Sequence, residues 1–313
     1  MVPFAEELDA DEIHVQAPSA FILLCGGARS KHHGDAPVSL RDAFFKIIDN
    51  PVIKNHDVIE AEDVTRSYLF SKRYEDLLMF ETDFAQITEL ILLFCESEGS
   101  VAELGAFVMI SEAASRLLVV VRDKHWGDDS FIKLGPLAYL ERVYGPESVF
   151  VIDDDDIGVQ GKDLSGVVIA TFKDRLQEPL RRRLSQLREP TTFDKNRAGH
   201  IIKLIVGLIQ EYGALTIREL EYLFDKLNIK KTRSEIESYI LCAESAGWIL
   251  TKKKGIHTYF FARGLRDAAD LNFKGPDSPK NKQRRRGSIR EHWQKHDTDR
   301  YRGIQEASKG GAT

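Results

Sequence analysis

Ile91-Leu92-Leu93-Phe94-Cys95-Glu96-Ser97-Glu98-Gly99-Ser100-Val101-Ala102-Glu103-Leu104-Gly105-Ala106-Phe107 is the stretch whose reading decides the fold. Its apolar opening is short enough to be a buried strand. A polar turn with one glycine follows, and then a helix that Ser100 opens as N-cap, with Glu103 three residues on. In a parallel α/β sheet such a junction lies at the carboxyl ends of the strands, where these folds bind ligands. A carboxylate in the first turn of that helix points into the crevice, which makes Glu103 the candidate catalytic residue. The spacing Ser100-x-x-Glu103 also describes a capping box, in which the carboxylate returns to the Ser100 backbone N–H. Spacing alone leaves both roles open.

Working outward, apolar runs alternate with helical patterns. Ala20 to Cys25 is a first strand, stopped by Gly26-Gly27, whose missing side chains let a ligand or a neighbouring backbone come close. Val38 to Ile48 has its apolar residues on one helical face, Asp57 to Ala61 is a second strand ending at Glu62-Asp63, and Tyr68 to Phe80 reads as helical. Glu81 precedes a further short helix that feeds the third strand. Arg116 to Val121 and Ser148 to Ile152 complete a set of five. This alternation predicts a doubly wound α/β fold with a parallel sheet in the flavodoxin-like order. The crevice then opens between strands one and three. Gly26-Gly27 faces the Glu96–Glu103 turn across it, and Glu62 and Glu81 are candidates for its rim. The chain has no P-loop lysine motif and no G-x-G-x-x-G fingerprint, so a nucleotide is not held in the Walker or Rossmann manner.

Charge divides the chain. Residues 272–313 carry 11 Lys/Arg and 5 Asp/Glu, a net +6, so the chain's −5 leaves −11 for residues 1–271. Cys25, Cys95 and Cys242 make no complete disulfide set, and with no signal peptide or long apolar span the chain reads as cytoplasmic, with no membrane partner. His32-His33 lacks a third ligand at a diagnostic spacing, and the acids Asp153 to Asp156 lack a second source of ligands. No metal site is therefore assigned.

The expected organisation is an acidic arm over 1–18, the α/β domain over 19–160, a helical linker over 161–194, a further domain over 195–271, and a basic, disordered tail over 272–313. Within 195–271, His200 to Gln210, a helix capped by Thr216 and a helix opened by Thr232-Arg233-Ser234-Glu235 precede two strands joined by Lys252-Lys253-Lys254-Gly255. Three helices and such a hairpin predict a winged helix-turn-helix. Its third helix carries Glu235, Glu237 and Glu244 with Arg233 nearly its only cation. This disfavours major-groove reading and favours a protein contact. Arg284-Arg285-Arg286 and the Lys252–Lys254 turn could touch a phosphate backbone.

Residues 20–155 resemble the nucleoside 2-deoxyribosyltransferase family, whose hallmark turn is matched by Gly99-Ser100-Val101-Ala102-Glu103. The whole chain resembles the retron effectors that join such a domain to a winged helix. The matching stretches are Phe21 to Gly27, Glu62-Asp63, Leu92 to Phe107 and Phe131-Ile132-Lys133-Leu134-Gly135-Pro136. One departure is Cys95, where a proline is usual. The resemblance implies attack on an N-glycosidic bond through an oxocarbenium-like ribosyl cation, with Glu103 as the carboxylate beneath the anomeric carbon. It implies that Glu81 positions the sugar or base, that Gly26, Gly27, Glu62, Glu96 and Gly99 line the ligand, and that Ser97 and Ser100 meet sugar or phosphate oxygens. For retron effectors the implied substrate is NAD, split to nicotinamide and ADP-ribose as an anti-phage toxin, with no cofactor. The implied partners are the retron reverse transcriptase and its multicopy single-stranded DNA, with self-assembly left open. Two alternatives stand beside this: a nucleoside or deoxynucleotide hydrolase or deoxyribosyltransferase, and a nucleotide-sensing transcriptional regulator.

Overall fold

The computed structural model describes residues 2–47, 50–127, 129–185, 190–263 and 266–309. The chain falls into two units, one formed by Ala20–Thr65 and Thr88–Arg188, the other by Met1–Ser19, Arg66–Ile87 and Glu189–Thr313.

The first unit is a five-stranded parallel sheet of Phe21–Cys25 (β1), Asp57–Glu60 (β2), Leu90–Phe94 (β3), Leu117–Arg122 (β4) and Val149–Ile152 (β5). The strand order is β2-β1-β3-β4-β5, the order expected of a flavodoxin-like sheet. Every residue of β1, β3 and β4 is buried. That explains why these strands read as unbroken apolar runs rather than as alternations. Leu24 pairs with Leu92, and Leu92 with Leu118, so these side chains share one face. On that face Leu40, Ala43 and Phe44 of helix Leu40–Phe45 (α1) complete a core with Phe172, Leu176 and Leu180.

Ala61–Ser71 (α2) and Leu77–Ala85 (α3) follow in sequence, then Glu98–Val108 (α4), which packs on β3, and Ala138–Tyr144 (α5). The continuous helix expected over Tyr68 to Phe80 is two helices. Lys72 takes φ +50 after α2, and Asp76 restarts the chain by capping the Met79 N–H at 2.8 Å. The helix expected over Val38 to Ile48 is only α1, and Ile48 lies outside the described residues. Ile169–Leu184 (α6), expected to be linker, belongs to this unit because its apolar stripe Phe172, Leu176 and Leu180 is fully buried there.

The second unit holds Ala198–Tyr212 (α7), Ile217–Lys226 (α8) and Arg233–Ser245 (α9), followed by the antiparallel strands Ile249–Lys254 and His257–Ala262. The strand His257–Ala262 also pairs with Ala214–Leu215. The acidic arm is not loose: Leu8–Val15 is a strand between Ala269–Phe273 and Thr191–Thr192.

The basic tail folds as well, into Lys282–His296 (α10) and Thr298–Lys309 (α11). Three of its arginines are tied to acids of the same unit. Arg285 and Arg286 place their Nε atoms 2.5 and 2.9 Å from the two oxygens of Glu211, whose side chain is 0% exposed, and Arg286 also reaches Asp267 at 2.6 Å. Arg300 lies 3.8 Å from the Trp293 ring centroid and bonds Glu219 at 2.7 Å. Two of the three arginines assigned to phosphate contact are thus internal ties. Arg285→Ala leaves the Glu211 carboxylate buried with half its pairing. We expect a loss of about 3–5 kcal/mol in denaturant unfolding.

Residues 66–87 cover α9 in this unit. Arg73 bonds Glu244 at 2.9 Å, and Ser238 Oγ donates to the Arg73 carbonyl at 2.6 Å. Tyr74 Oη stands 3.1 Å from Cys242 Sγ and donates to Asp83 at 3.0 Å. Burial pushes the Asp83 carboxyl up to about 6, against the Tyr74 hydrogen bond and the Lys231 charge. Its folded value lies above the ordinary 3.8, so this contribution to stability is complete below 3.8 and is lost as pH rises through about 6. Asp83→Asn should therefore raise unfolding free energy at pH 8 by about 2–3 kcal/mol and change little near pH 4.

Candidate active site

The turn after β3 is organised by Glu96. Helix α1 begins at Ser39, whose Oγ accepts the Asp42 N–H at 2.8 Å. The first N–H groups of a helix have no intrahelical partner. Glu96 takes two of them, Leu40 N at 2.7 Å and Arg41 N at 3.1 Å, and also Gly27 N at 3.0 Å. One carboxylate thus ties the β3 turn to the β1 turn and to α1. The glycines are needed for that closeness. A Cβ on Gly27 would stand 2.8 Å from Ser39 Cβ, and one on Gly26 would stand 2.9 Å from Arg41 Cβ. The space beside them is filled by the protein's own side chains.

Helix α4 starts one turn earlier than Ser-x-x-Glu implies. Its N-cap is Ser97, which accepts the Ser100 N–H at 3.2 Å, and Ser100 Oγ returns to accept Ser97 N at 2.9 Å and Glu96 N at 3.1 Å. Ser97 and Ser100 satisfy each other as a capping box, so the cap has no use for Glu103. Glu103 lies in the second turn, on the stripe shared by Ser100, Leu104 and Phe107, all of which are buried. Its own side chain is half-buried, with Oε2 shielded from solvent. Gly99 is exposed in the first turn, and a Cβ there would meet nothing nearer than Ser97 Oγ at 3.9 Å.

Two arginines that the sequence reading missed stand on the other side of the β1 turn. Arg41 is 2% exposed and bonds Glu62, in the first turn of α2, at 2.5 Å. Arg29 pairs with Glu60 and lies 4.0 Å from the Phe45 ring centroid. Burial raises Glu60, and the neighbouring Arg29 only partly offsets it. Burial also pushes Glu62 upward, but the Arg41 hydrogen bond and charge, with smaller help from Arg29, together outweigh it and hold that carboxyl below the usual range. The available signal was compositional: acids clustered at the end of the second strand require cations in the segments beside it. Glu81 lies on α3 and belongs to the other unit.

Cys95 is not arranged as a nucleophile. Burial, reinforced by the Glu96 charge, pushes its thiol up to about 11. In the acidic run, Asp154 receives Arg122 at 2.5 and 2.6 Å, and Asp156 pairs with Arg175. Among the described residues no three His, Cys, Asp or Glu side chains gather where they could hold a metal ion, and no helix is long and apolar enough to cross a membrane.

The contrast between the two carboxylates gives a prediction. Glu96→Gln puts an NH2 group against backbone donors and should cost about 1–3 kcal/mol in unfolding experiments. An unchanged unfolding midpoint would show that Glu96 does not hold these turns together.

The model of the STM3845 retron effector protein family matches residues 37–252. A protein of Escherichia coli retron Ec86, whose name proposes ribosyltransferase and DNA-binding roles, is 26% identical over 211 residues, covering 67% of this chain and 61% of that one. A similarly named protein of Escherichia coli retron Ec73 is 33% identical over 119 residues, 37% of this chain and 36% of its own. The alignments thus span less than two thirds of either relative. The family match takes in α1, the β3–α4 turn with Glu96 and Glu103, and the helices through α9, and on it the chain belongs to the STM3845 retron effector family.

Proposed function

We propose that this chain is an N-glycosidase effector of a retron anti-phage system that hydrolyses NAD to nicotinamide and ADP-ribose. The observation that carries the reading is Glu103, a carboxylate on the buried stripe of α4 that takes no part in capping the helix. A carboxylate at that position supplies the negative charge that a developing ribosyl cation needs. In the reaction the bond between the ribose anomeric carbon and the nicotinamide nitrogen breaks, with its electron pair leaving on nicotinamide. Water supplies the oxygen that bonds to the anomeric carbon and releases one proton. Glu103 stabilises the ribosyl cation or bonds to it transiently. Glu96 acts by positioning, because its oxygens hold three backbone N–H groups. Ser97, Gly99 and Ser100 present the start of α4, Gly26 and Gly27 the facing turn, and Glu62 the rim. NAD enters as substrate, and no cofactor is required.

The same carboxylate would serve a nucleoside or deoxynucleotide hydrolase, or a deoxyribosyltransferase if a second base replaced water. We read α7 to α9 and the following hairpin as a winged helix whose role is contact with the retron reverse transcriptase and its multicopy single-stranded DNA. A transcriptional regulator would need α9 free to enter a major groove, whereas residues 66–87 lie on it through Arg73 and Tyr74.

The test is incubation of the chain, alone and with its retron partners, with NAD and a nucleoside panel, followed by mass analysis. Glu103→Gln should keep its unfolding free energy within about 1 kcal/mol of wild type and lose glycosidic cleavage by about 100-fold or more. A fully active Glu103→Gln chain would overturn the assignment.

A further inference from the structure

The Arg41–Glu62 pair is asymmetric. The guanidinium is 2% exposed, while the carboxylate is 53% exposed. Arg41 is anchored by its backbone N–H to Glu96 and by its Cβ against Gly26, so it is fixed beside the β1 turn. Its Nε is buried and has no acceptor among the described residues. A buried guanidinium with an unused N–H is an incomplete binding group. Glu62 answers one of its nitrogens, Nη1, and does so from solvent.

Charge balance limits what else can bind there. Arg29 and Arg41 face Glu60 and Glu62, and the Asp63 charge also acts on Glu60, so the cluster has no spare positive charge. An added anion would be repelled unless a carboxylate left. Glu60 is 16% exposed and held by Arg29, whereas Glu62 can rotate into water and recover its hydration. A phosphate arriving as Glu62 leaves keeps the buried cation paired, which avoids the cost of stranding it. It also offers more acceptor oxygens than Glu62 presents, in the bidentate geometry that guanidinium groups favour.

We propose that Glu62 is a built-in stand-in for a substrate phosphate, and that Arg41, unmasked when Glu62 swings out, makes the crevice a site for nucleotides rather than nucleosides. This rests on reading the crevice as a nucleotide site and assigns its specificity to a pair of residues remote in sequence from Glu103. Arg41 is here a binding and specificity residue, and Glu62 is its competitor.

The experiment measures binding rather than turnover. Calorimetry on the full chain carrying Glu103→Gln compares AMP with adenosine. AMP should bind at least tenfold more tightly. Adding Glu62→Gln, which removes the competing charge and keeps an acceptor for Arg41, should tighten AMP several-fold and leave adenosine unchanged. Adding Arg41→Gln should abolish the preference in a chain whose folding is checked by circular dichroism. Equal binding of AMP and adenosine, binding of neither at millimolar concentration, or weaker AMP binding in the Glu62→Gln chain would each overturn the proposal. A phosphate preference in a chain with no glycosidic activity on any substrate would keep the subsite and remove the N-glycosidase reading, so the two can fail separately.

Discussion

The Glu96 carboxylate is the constraint on which the crevice depends. Parallel strands leave their carboxyl ends as independent turns, and something must fix one turn against the next. Here a single side chain accepts N–H groups from Gly27, Leu40 and Arg41. Those donors would otherwise be unmatched at the start of α1 and in the β1 turn. The arrangement accounts for several choices at once. It requires glycine at 26 and 27, places Arg41 beside the turn, and leaves the Ser97–Ser100 pair to begin α4 without help from Glu103. Two glutamates seven residues apart therefore have separable physical roles, one as acceptor for the backbone and one on the face of a helix.

Cations tell a similar story in the other unit. A run of three arginines near the end of a chain invites a polyanion, and composition alone supports that expectation. Two of the three instead converge on one buried glutamate from α7, and a third arginine further on stacks against Trp293. Burying Glu211 makes sense only with those partners present, so α7 and α10 depend on each other. The lysine turn of the hairpin is partly answered too, with Lys254 bonded to Glu306 of α11.

The sheet was legible because β1, β3 and β4 are buried on both faces and so appear as short, dense apolar runs with turn signals between them. Strand order followed from the alternation with helices. The start of α4 was misread because Ser97 and Ser100 are both competent caps. Spacing to an acid favoured Ser100, while the reciprocal hydroxyl bonds that favour Ser97 involve no residue type that a capping pattern searches for. The folded tail was illegible for a different reason. Its anchors Arg285, Trp293 and Arg300 are buried through partners 74 to 86 residues away in sequence, and polar composition outweighs them locally. Arg41 could not be read as a site residue because nothing in a helix marks which arginine will be enclosed.

The excursion of residues 66–87 has a consequence for how the chain is made. These residues sit in sequence between β2 and β3, yet their structural neighbours Glu244, Ser238 and Cys242 are encoded more than 150 positions later. As the polypeptide leaves the ribosome, Tyr74 and Asp83 must wait uncovered until α9 has emerged. Such sequence-distant closure slows folding. It also means that a product terminated before α9 lacks the residues that cover Tyr74 and Arg73. Completeness of synthesis is thereby built into the architecture as a condition for obtaining the folded molecule.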